Sequence, residues 1–495
     1  MPSAVRSFAG ARTGYEPVIG LEVHAQLLTR TKLFCGCANR FGAAPNTLVC
    51  PVCLGLPGAL PVPSRHAVTL ALRAALALGC RVNELSVFER KNYFYPDLPK
   101  GYQISQYQQP LAVDGALEVS GADGSRRAIR VQRVHMEEDA GKLLHEGFAW
   151  SREKSGVDLN RAGVPLIEIV SAPDLRSPDE AHEYLSALRA VLLYAEVSDC
   201  NMEEGSLRCD ANVSLRPRGR PALGTRTEIK NLNSFRHVAR ALEHEIARQT
   251  AVLESGGLVE QETRLWNAER GETAAMRSKE EAHDYRYFPE PDLPPLVVDE
   301  EWLAEVRGTL PELPAARRQR FLAQYRIPAY DAGVLTQERP VADYFEAAAA
   351  ASGNPKAASN WVMTEVLRKL KEDARPLAGC PVSPAALAGL VRLVDAGTIS
   401  GKIAKDVFEK MWATGEDASG IVEREGLTQV SDSAALAAIV TEVVAASPGE
   451  AASYRSGKAA ALGWFVGQVM RRTGGRANPR LVNELLHKAL DGGSR

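Results

Sequence analysis

Strict alternation of apolar and polar residues marks several short stretches of the chain as half-buried strands. Across residues 18–27, Ile19, Leu21, Val23, Ala25 and Leu27 fall on one side and Gly20, Glu22, His24 and Gln26 on the other, the period of two that a pleated strand imposes. The same period runs through residues 207–216, where Leu207, Cys209, Ala211, Val213 and Leu215 oppose Arg208, Asp210, Asn212, Ser214 and Arg216. A third run sets Arg226, Glu228 and Lys230 against Thr227 and Ile229, and residues 165–171 form a shorter, more buried strand with a single charge, Glu168. Helices lie between them. One begins at Ser64 and runs through Leu70 and Ala74 toward Gly79; a second has Ser177 as cap, Pro178 at its first position and Glu180 completing a capping box. A third starts near Ser234 and stops at Gly256 and Gly257.

Strands and helices alternate without a regular βαβ rhythm, and neither GxGxxG nor GxxxxGK[ST] occurs. The reading is therefore α+β, with any nucleotide bound outside the standard phosphate loops. After the proline-rich residues 288–295 the texture becomes Ala-rich and helical, with stops expected at Gly353, Pro376, Gly397, Gly415, Gly426 and Pro448. The expected organisation is a disordered extension over residues 1–15, an α+β domain over 16–295, an all-α domain over 296–405 and a helical tail over 406–495.

A length of 495 residues exceeds one ordinary core. Charge is balanced, with 59 Lys plus Arg against 61 Asp plus Glu, so a nucleic-acid partner must be met by a local patch. Residues 451–495 supply one: Arg455, Lys458, Arg471, Arg472, Arg476, Arg480, Lys488 and Arg495 face only Glu484 and Asp491, eight cations against two anions. The bland alternative is a solvated helix face. No apolar run approaches the ~20 residues a bilayer requires, and the N-terminus lacks the apolar core of a signal peptide, so the expectation is a cytoplasmic chain without a membrane partner.

Eight cysteines without an export signal argue against a disulfide framework. Cys80, Cys200, Cys209 and Cys380 read as small buried hydrophobes. Cys35 and Cys37, then twelve residues, then Cys50 and Cys53 form CxC and CPxC pairs; four thiolates so spaced suit tetrahedral Zn2+ with no open position, a structural site, against a redox pair or inert thiols.

A second set is rich in carboxylates: Glu22 and His24, then His135, Glu137, Glu138 and Asp139, then Glu168, then Asp210. Three of these acids occupy polar faces of separate strands, and a shared sheet would bring them to one pocket. Oxygen ligands with an imidazole suit Mg2+ or Mn2+, and Lys91, Arg208, Arg226 and Lys230 would then clamp a transferred phosphoryl group. A single strand Glu is more often merely solvated, and a single His more often a hydrogen-bonded core residue. What weighs against that is the density of charges and aromatics in residues 90–97 (RKNYFYPD) and 284–289 (DYRYFP).

These segments, together with residues 19–24 (IGLEVH), 135–142 (HMEEDAGK), 158–171 (DLNRAGVPLIEIVS), 202–212 (MEEGSLRCDAN) and 230–235 (KNLNSF), closely resemble the GatB family, the B subunits of tRNA-dependent Asp/Glu amidotransferases. The match runs in order from about residue 16. The resemblance implies ATP-dependent phosphorylation of the side-chain carboxylate of misacylated Glu-tRNA(Gln) or Asp-tRNA(Asn), followed by displacement of phosphate by ammonia, with Mg2+ offsetting the repulsion between anions. It makes Glu22, His24, Glu137 or Glu138, Glu168 and Asp210 the metal and phosphate residues, and an acid of the 135–139 segment a guard of ammonia entry.

It further implies a glutamine synthetase-like cradle, a YqeY-like tail that grips tRNA through Arg471, Arg472, Arg476 and Arg480, an amidase-like glutaminase A subunit and a small C subunit. The chain itself carries no amidase signature and no N-terminal cysteine nucleophile, which agrees with ammonia arriving from a partner. Two other readings stay beside this one: an RNA-binding assembly subunit with an inactive pocket, and a redox protein using Cys50 and Cys53.

Overall fold

The computed structural model describes residues 14–120, 126–148, 151–276, 285–428, 433–458, 460–474 and 477–491. Contacts divide the chain into two compact units, one ending at Ala316 and the other beginning at Arg317.

The first unit is built on a nine-stranded sheet. In spatial order its strands are Glu272–Ala275, Glu262–Asn267, Thr227–Lys230, Leu207–Pro217, Tyr15–Gln26, Pro165–Ser171, Arg126–Glu138, Ala112–Ser120 and Arg81–Val82. Every pairing is antiparallel except Thr227–Lys230 with Glu262–Asn267; that parallel pair is joined through the helix Phe235–Glu254, the long crossover such a connection needs. The α+β reading holds. Each alternating run becomes a strand because one side is apolar, and Ile19, Leu21, Val23, Ala211 and Val213 are fully buried under helices. The helices Arg65–Ala77, Pro178–Tyr194 and Phe235–Glu254 pack on this sheet.

The caps form where the sequence places them. Ser64, Ser177 and Ser234 each accept a hydrogen bond from the third backbone N–H beyond. The capping box at Ser177 is half realised: its hydroxyl accepts from the Glu180 N–H at 3.1 Å, but the Glu180 carboxylate accepts from the Arg176 N–H at 2.8 Å. A small sheet of Phe288–Pro289, Glu89–Asn92 and Tyr102–Ser105 ties the two aromatic, charged segments together. Asp284, the first residue of DYRYFP, and the expected extension up to residue 13 lie outside the described residues.

The second unit is helical with two cores. One gathers Phe321, Phe345, Val366, Leu387 and Phe408 and reaches Val422; the other gathers Leu436, Val440, Phe465, Val469, Val482 and Leu486 on the helices Ser433–Ala445, Ala460–Arg472 and Pro479–Asp491. Gly353 and Gly415 end helices with φ of 71° and 75°. Pro448 does the reverse: the preceding helix stops at Ala445, and Pro448 opens the helix Pro448–Arg455, where its missing N–H costs nothing. Cys80, Cys200 and Cys209 are buried as expected, whereas Cys380 is half-buried. Among the described residues no single helix is long and apolar enough to cross a membrane.

Candidate functional site

Antiparallel register, rather than closeness in sequence, assembles the polar face of the large sheet. Across the four central strands one row pairs Arg208 with His24, His24 with Glu168 and Glu168 with His135. The adjacent row pairs Asp210 with Glu22, Glu22 with Val170 and Val170 with Arg133. Alternation then puts Glu137, two residues beyond His135, on the same face.

His24 is the hub. Its Nε2 stands 3.4 Å from Glu168 Oε2 and 3.5 Å from Glu137 Oε1, while His135 Nε2 stands 3.1 Å from the same Glu168 oxygen. One donor atom each from His24, Glu137 and Glu168 lies within 4.8 Å of the others, a set of two oxygens and one nitrogen that fits a hard divalent cation. Burial would raise the Glu168 carboxyl, but His135 and His24 hold it well below the usual carboxylate range. Burial would lower the His24 imidazole, but its bond to Glu168 and the charge of Glu137 lift it above its ordinary value.

A second group continues the face. Burial raises the Glu22 carboxyl, and Glu168, Glu228 and Asp210 add to this by repulsion; Asn212 donates to Glu22 Oε1 at 3.0 Å. Lys230 Nζ bridges Asp210 Oδ2 and Glu228 Oε1 at 3.1 Å each. Arg208 donates to Asp139 Oδ2 at 2.8 Å, and Gln26 to the same oxygen at 2.9 Å. Burial works against the Asp139 charge, but Arg208 and Arg161 hold its carboxyl low.

The two adjacent acids part company. Glu137 joins His24 and accepts from the Ser105 hydroxyl at 3.3 Å. Glu138 turns to the opposite side, where it is bonded to Lys100 and accepts from the Ile104 N–H at 2.9 Å. Lys91 arrives from the small sheet with its Nζ 5.0 Å over the Tyr285 ring; burial opposes its charge, but Glu137, Tyr287 and Glu168 outweigh it and raise its pKa. Arg226 is not brought in: it is exposed, one residue before the strand Thr227–Lys230. Ser105, Asn212, Gln26 and Lys100 join the site without having been expected there. Gln26 and Asn212 carried a signal, since they share the polar alternation of His24 and Asp210; Ser105 and Lys100 carried none.

A cleft of about 830 Å3 opens beside this face, on the side of Arg208 and Asp210, between Phe41, Met202 and Asn233.

Cys35, Cys37, Cys50 and Cys53 come together with their sulfurs within 4.8 Å of one another. Cys50 and Cys53 Sγ are 3.9 Å apart, and a zinc ion with four Zn–S bonds of about 2.3 Å separates its sulfurs by roughly 3.8 Å. The donor set fits zinc. A hydrogen bond from Cys35 pulls the Cys53 thiol down to about 4 against the effect of burial, with help from the Cys50 N–H and the Lys32 ammonium; Lys32 Nζ lies 3.6 Å from Cys53 Sγ.

In the tail, Arg471 and Arg472 end one helix and Arg480 begins the next; Arg472 pairs with Glu442 at 2.9 Å and Arg480 with Glu484 at 3.3 Å. Arg476 lies outside the described residues.

Comparison with known proteins bears on nearly the whole chain. Residues 17–304 match the GatB/GatE catalytic domain, and residues 343–490 match the GatB domain. The B subunit of the aspartyl/glutamyl-tRNA(Asn/Gln) amidotransferase of Carboxydothermus hydrogenoformans is 57% identical over 476 residues, covering 96% of this chain and 99% of that protein. The B subunit of the same name from Geotalea uraniireducens is 57% identical over 478 residues, 97% of this chain and 100% of that protein. That from Moorella thermoacetica is 58% identical over 479 residues, 96% and 100% respectively.

Proposed function

This chain belongs to the GatB/GatE family, and from that premise we propose that it is the B subunit of a multi-subunit amidotransferase that converts misacylated Glu-tRNA(Gln), Asp-tRNA(Asn) or both to the amides. The observation that carries this reading is the convergence of His24, Glu137 and Glu168 on one donor cluster.

In the first step a side-chain carboxylate oxygen of the aminoacyl group attacks the γ-phosphorus of ATP, the bond to the bridging oxygen breaks and ADP leaves. In the second, ammonia forms a C–N bond at the acyl carbon, the C–O bond to phosphate breaks, and a proton passes from nitrogen to a base. Magnesium held by Glu22, His24, Glu137, Glu168 and Asp210 would supply charge neutralisation between carboxylate and triphosphate. Asn212 fixes the orientation of Glu22, and Ser105 that of Glu137. Lys91, Arg208 and Lys230 add positive charge around the phosphoryl group, and Arg226 meets the nucleotide only if its exposed side chain folds inward. One of the adjacent pair, Glu137 beside His24 or Glu138 bonded to Lys100, takes a proton from incoming ammonium.

The four cysteines hold structural zinc. Ammonia comes from an amidase-like glutaminase A subunit in a cytoplasmic heterotrimer with a small C subunit, and the basic tail of Arg471, Arg472, Arg476 and Arg480 holds tRNA. In domain terms, the kinase cradle is the first unit, which runs past residue 295 to Ala316; the helical domain is the core that runs past residue 405 to Val422, and the tRNA-binding tail is the set of helices from Ser433 onward.

The test is phosphate release from ATP by the assembled complex with ammonium supplied, with and without each misacylated tRNA. Release that depends on misacylated tRNA and is lost in Glu22→Ala is the expected result. No stimulation by either tRNA in an intact complex would leave an RNA-binding assembly role as the better account.

A further inference from the structure

The basic side chains on the polar face of the four central strands have acidic partners, with one exception among the described residues. Arg208 is held by Asp139, and His24 and His135 by Glu168, while Lys230 on the next strand is held by Asp210 and Glu228. Arg133 shares this face, two residues before His135 and across Val170 from Glu22. It is half-buried, its Nε is shut off from solvent without a hydrogen-bond partner, and among the described residues it forms no ion pair. Its aromatic neighbour is loosely placed: the guanidinium carbon lies 5.7 Å from the centre of the Tyr107 ring. A buried donor left unpaired is costly, and a distant aromatic face is weak compensation. On the same strand His135 Nδ1 is also buried without a partner.

The aromatic surface beside Arg133 is flat. Tyr107 stacks on Tyr287 with centroids 4.4 Å apart and planes 8° from parallel. The Glu89 carboxylate, itself buried, accepts from the Tyr107 and Gln108 N–H groups at 2.8 Å each, which pins the loop that carries the ring. Tyr107 remains 46% exposed, so an aromatic surface stays open beside an unclaimed guanidinium.

We infer that Arg133, beside the Tyr107–Tyr287 stack, binds the triphosphate of the nucleotide. The inference rests on the phosphotransfer reading of the site. A planar fork of N–H donors matches phosphate oxygens in pairs, which an ammonium does not. The position favours nucleotide over the aminoacyl carboxylate. Arg133 shares its aromatic neighbours with Lys91, one of the cations given to the phosphoryl group: Tyr287, stacked on Tyr107, meets Tyr285 edge-on, and Lys91 Nζ lies over the Tyr285 ring.

The experiment measures steady-state phosphate release by the assembled complex with ammonium, varying ATP at saturating misacylated tRNA and then the reverse, in wild type, Arg133→Gln, Arg133→Lys and Tyr107→Ala. Wild-type release that depends on misacylated tRNA establishes the underlying reading first; its absence fails that reading and not this one. Given that release, Arg133→Gln is expected to raise KM for ATP about tenfold or more with KM for tRNA unchanged, Arg133→Lys to recover part of the loss, and Tyr107→Ala to raise KM for ATP less. An unchanged KM for ATP in Arg133→Gln overturns the inference, as does a rise confined to KM for tRNA, which would give the guanidinium to the aminoacyl carboxylate. Equilibrium binding of ATP to the same complexes, whose assembly and Tm are checked, separates lost affinity from lost folding.

Discussion

His24 Nε2 stands 3.4 Å from Glu168 Oε2, and the two residues face each other across neighbouring strands, so the imidazole and the carboxylate fix one another's position from opposite sides of a single ladder. His135 reaches the same oxygen from the next strand. A carboxylate held ionised in this way is prepared for a cation or for charge developing on a phosphoryl group. Glu168→Ala and Asp210→Ala are each expected to abolish amide formation, a loss of about 100-fold or more, while the complex still assembles. Turnover measured beside size-exclusion profiles checks this, and retained activity in both variants would remove the polar face from the mechanism.

Glu137 and Glu138 are expected to differ in kind. Glu137→Gln weakens the cation cluster and should stop phosphate release with little change in Tm. Glu138→Ala strands the buried Lys100 ammonium, and loss of one partner from a buried pair costs roughly 3–5 kcal/mol, so the first unit should melt earlier. Equal Tm values for Glu138→Ala and wild type would show that Lys100 finds another partner.

Cys50→Ala should lower both bound zinc and Tm, and a strong chelator should do the same to the unmodified protein, because the metal binding energy contributes to folding. Metal analysis and calorimetry read the two effects. A metal count and Tm that stay at wild-type values would exclude a structural zinc.

Glu346 gives the helical unit a pH dependence. Burial would raise its carboxyl, but Arg320 and Arg317 hold it down to about 2, and the Tyr325 hydroxyl donates to it at 3.1 Å. A carboxyl depressed by folding stabilises fully above its unfolded value of about 4.3, and the contribution disappears as pH falls toward the folded value. Glu346→Gln should therefore cost on the order of 1 kcal/mol at pH 7, because solvent screens this partly exposed pair, with the gap to wild type narrowing between about pH 4.3 and 2. Denaturation curves at pH 7, 5, 4 and 3 decide it; a gap that stays constant would mean the arginines gain nothing from the charge.

Replacing Arg471, Arg472 and Arg480 together by Ala should weaken tRNA binding at low salt and flatten its salt dependence by about one unit of slope for each phosphate no longer neutralised. Filter binding across a range of salt concentrations is the check. An unaltered slope would make the tail a solvated helix face.

Much of this molecule is readable in one dimension because its strands and caps are local. The alternation at Ile19 through Leu27 already separates core from polar face, and Ser64, Ser177 and Ser234 announce three helices through the reach of a hydroxyl to the third N–H beyond. The CxC and CPxC spacing suffices to anticipate a four-sulfur site. His24 and Glu168 are also visible, since each sits on a strand that the pattern marks, whereas the strand Arg126–Glu138 that carries Glu137 was not expected; the motifs around all three point to the family. Pro448 opens a helix where a stop was expected, because a proline looks alike before and after a helix boundary, and only its place in the first turn shows which.

What the sequence by itself determined was which face of each strand is polar, because a period of two is set within the strand. The tertiary structure alone decided which strands are neighbours and in what register, because that depends on pairing between segments that can lie more than 100 residues apart, as Glu22 and Val170 do. Register made Glu168 the partner of both His24 and His135. The pleat sent Glu137 to the cluster and Glu138 to Lys100. The same register placed Arg133 on the shared face without an acid of its own, since hydrogen bonds and charge pairs form between side chains that meet in space, and no local pattern records which ones will.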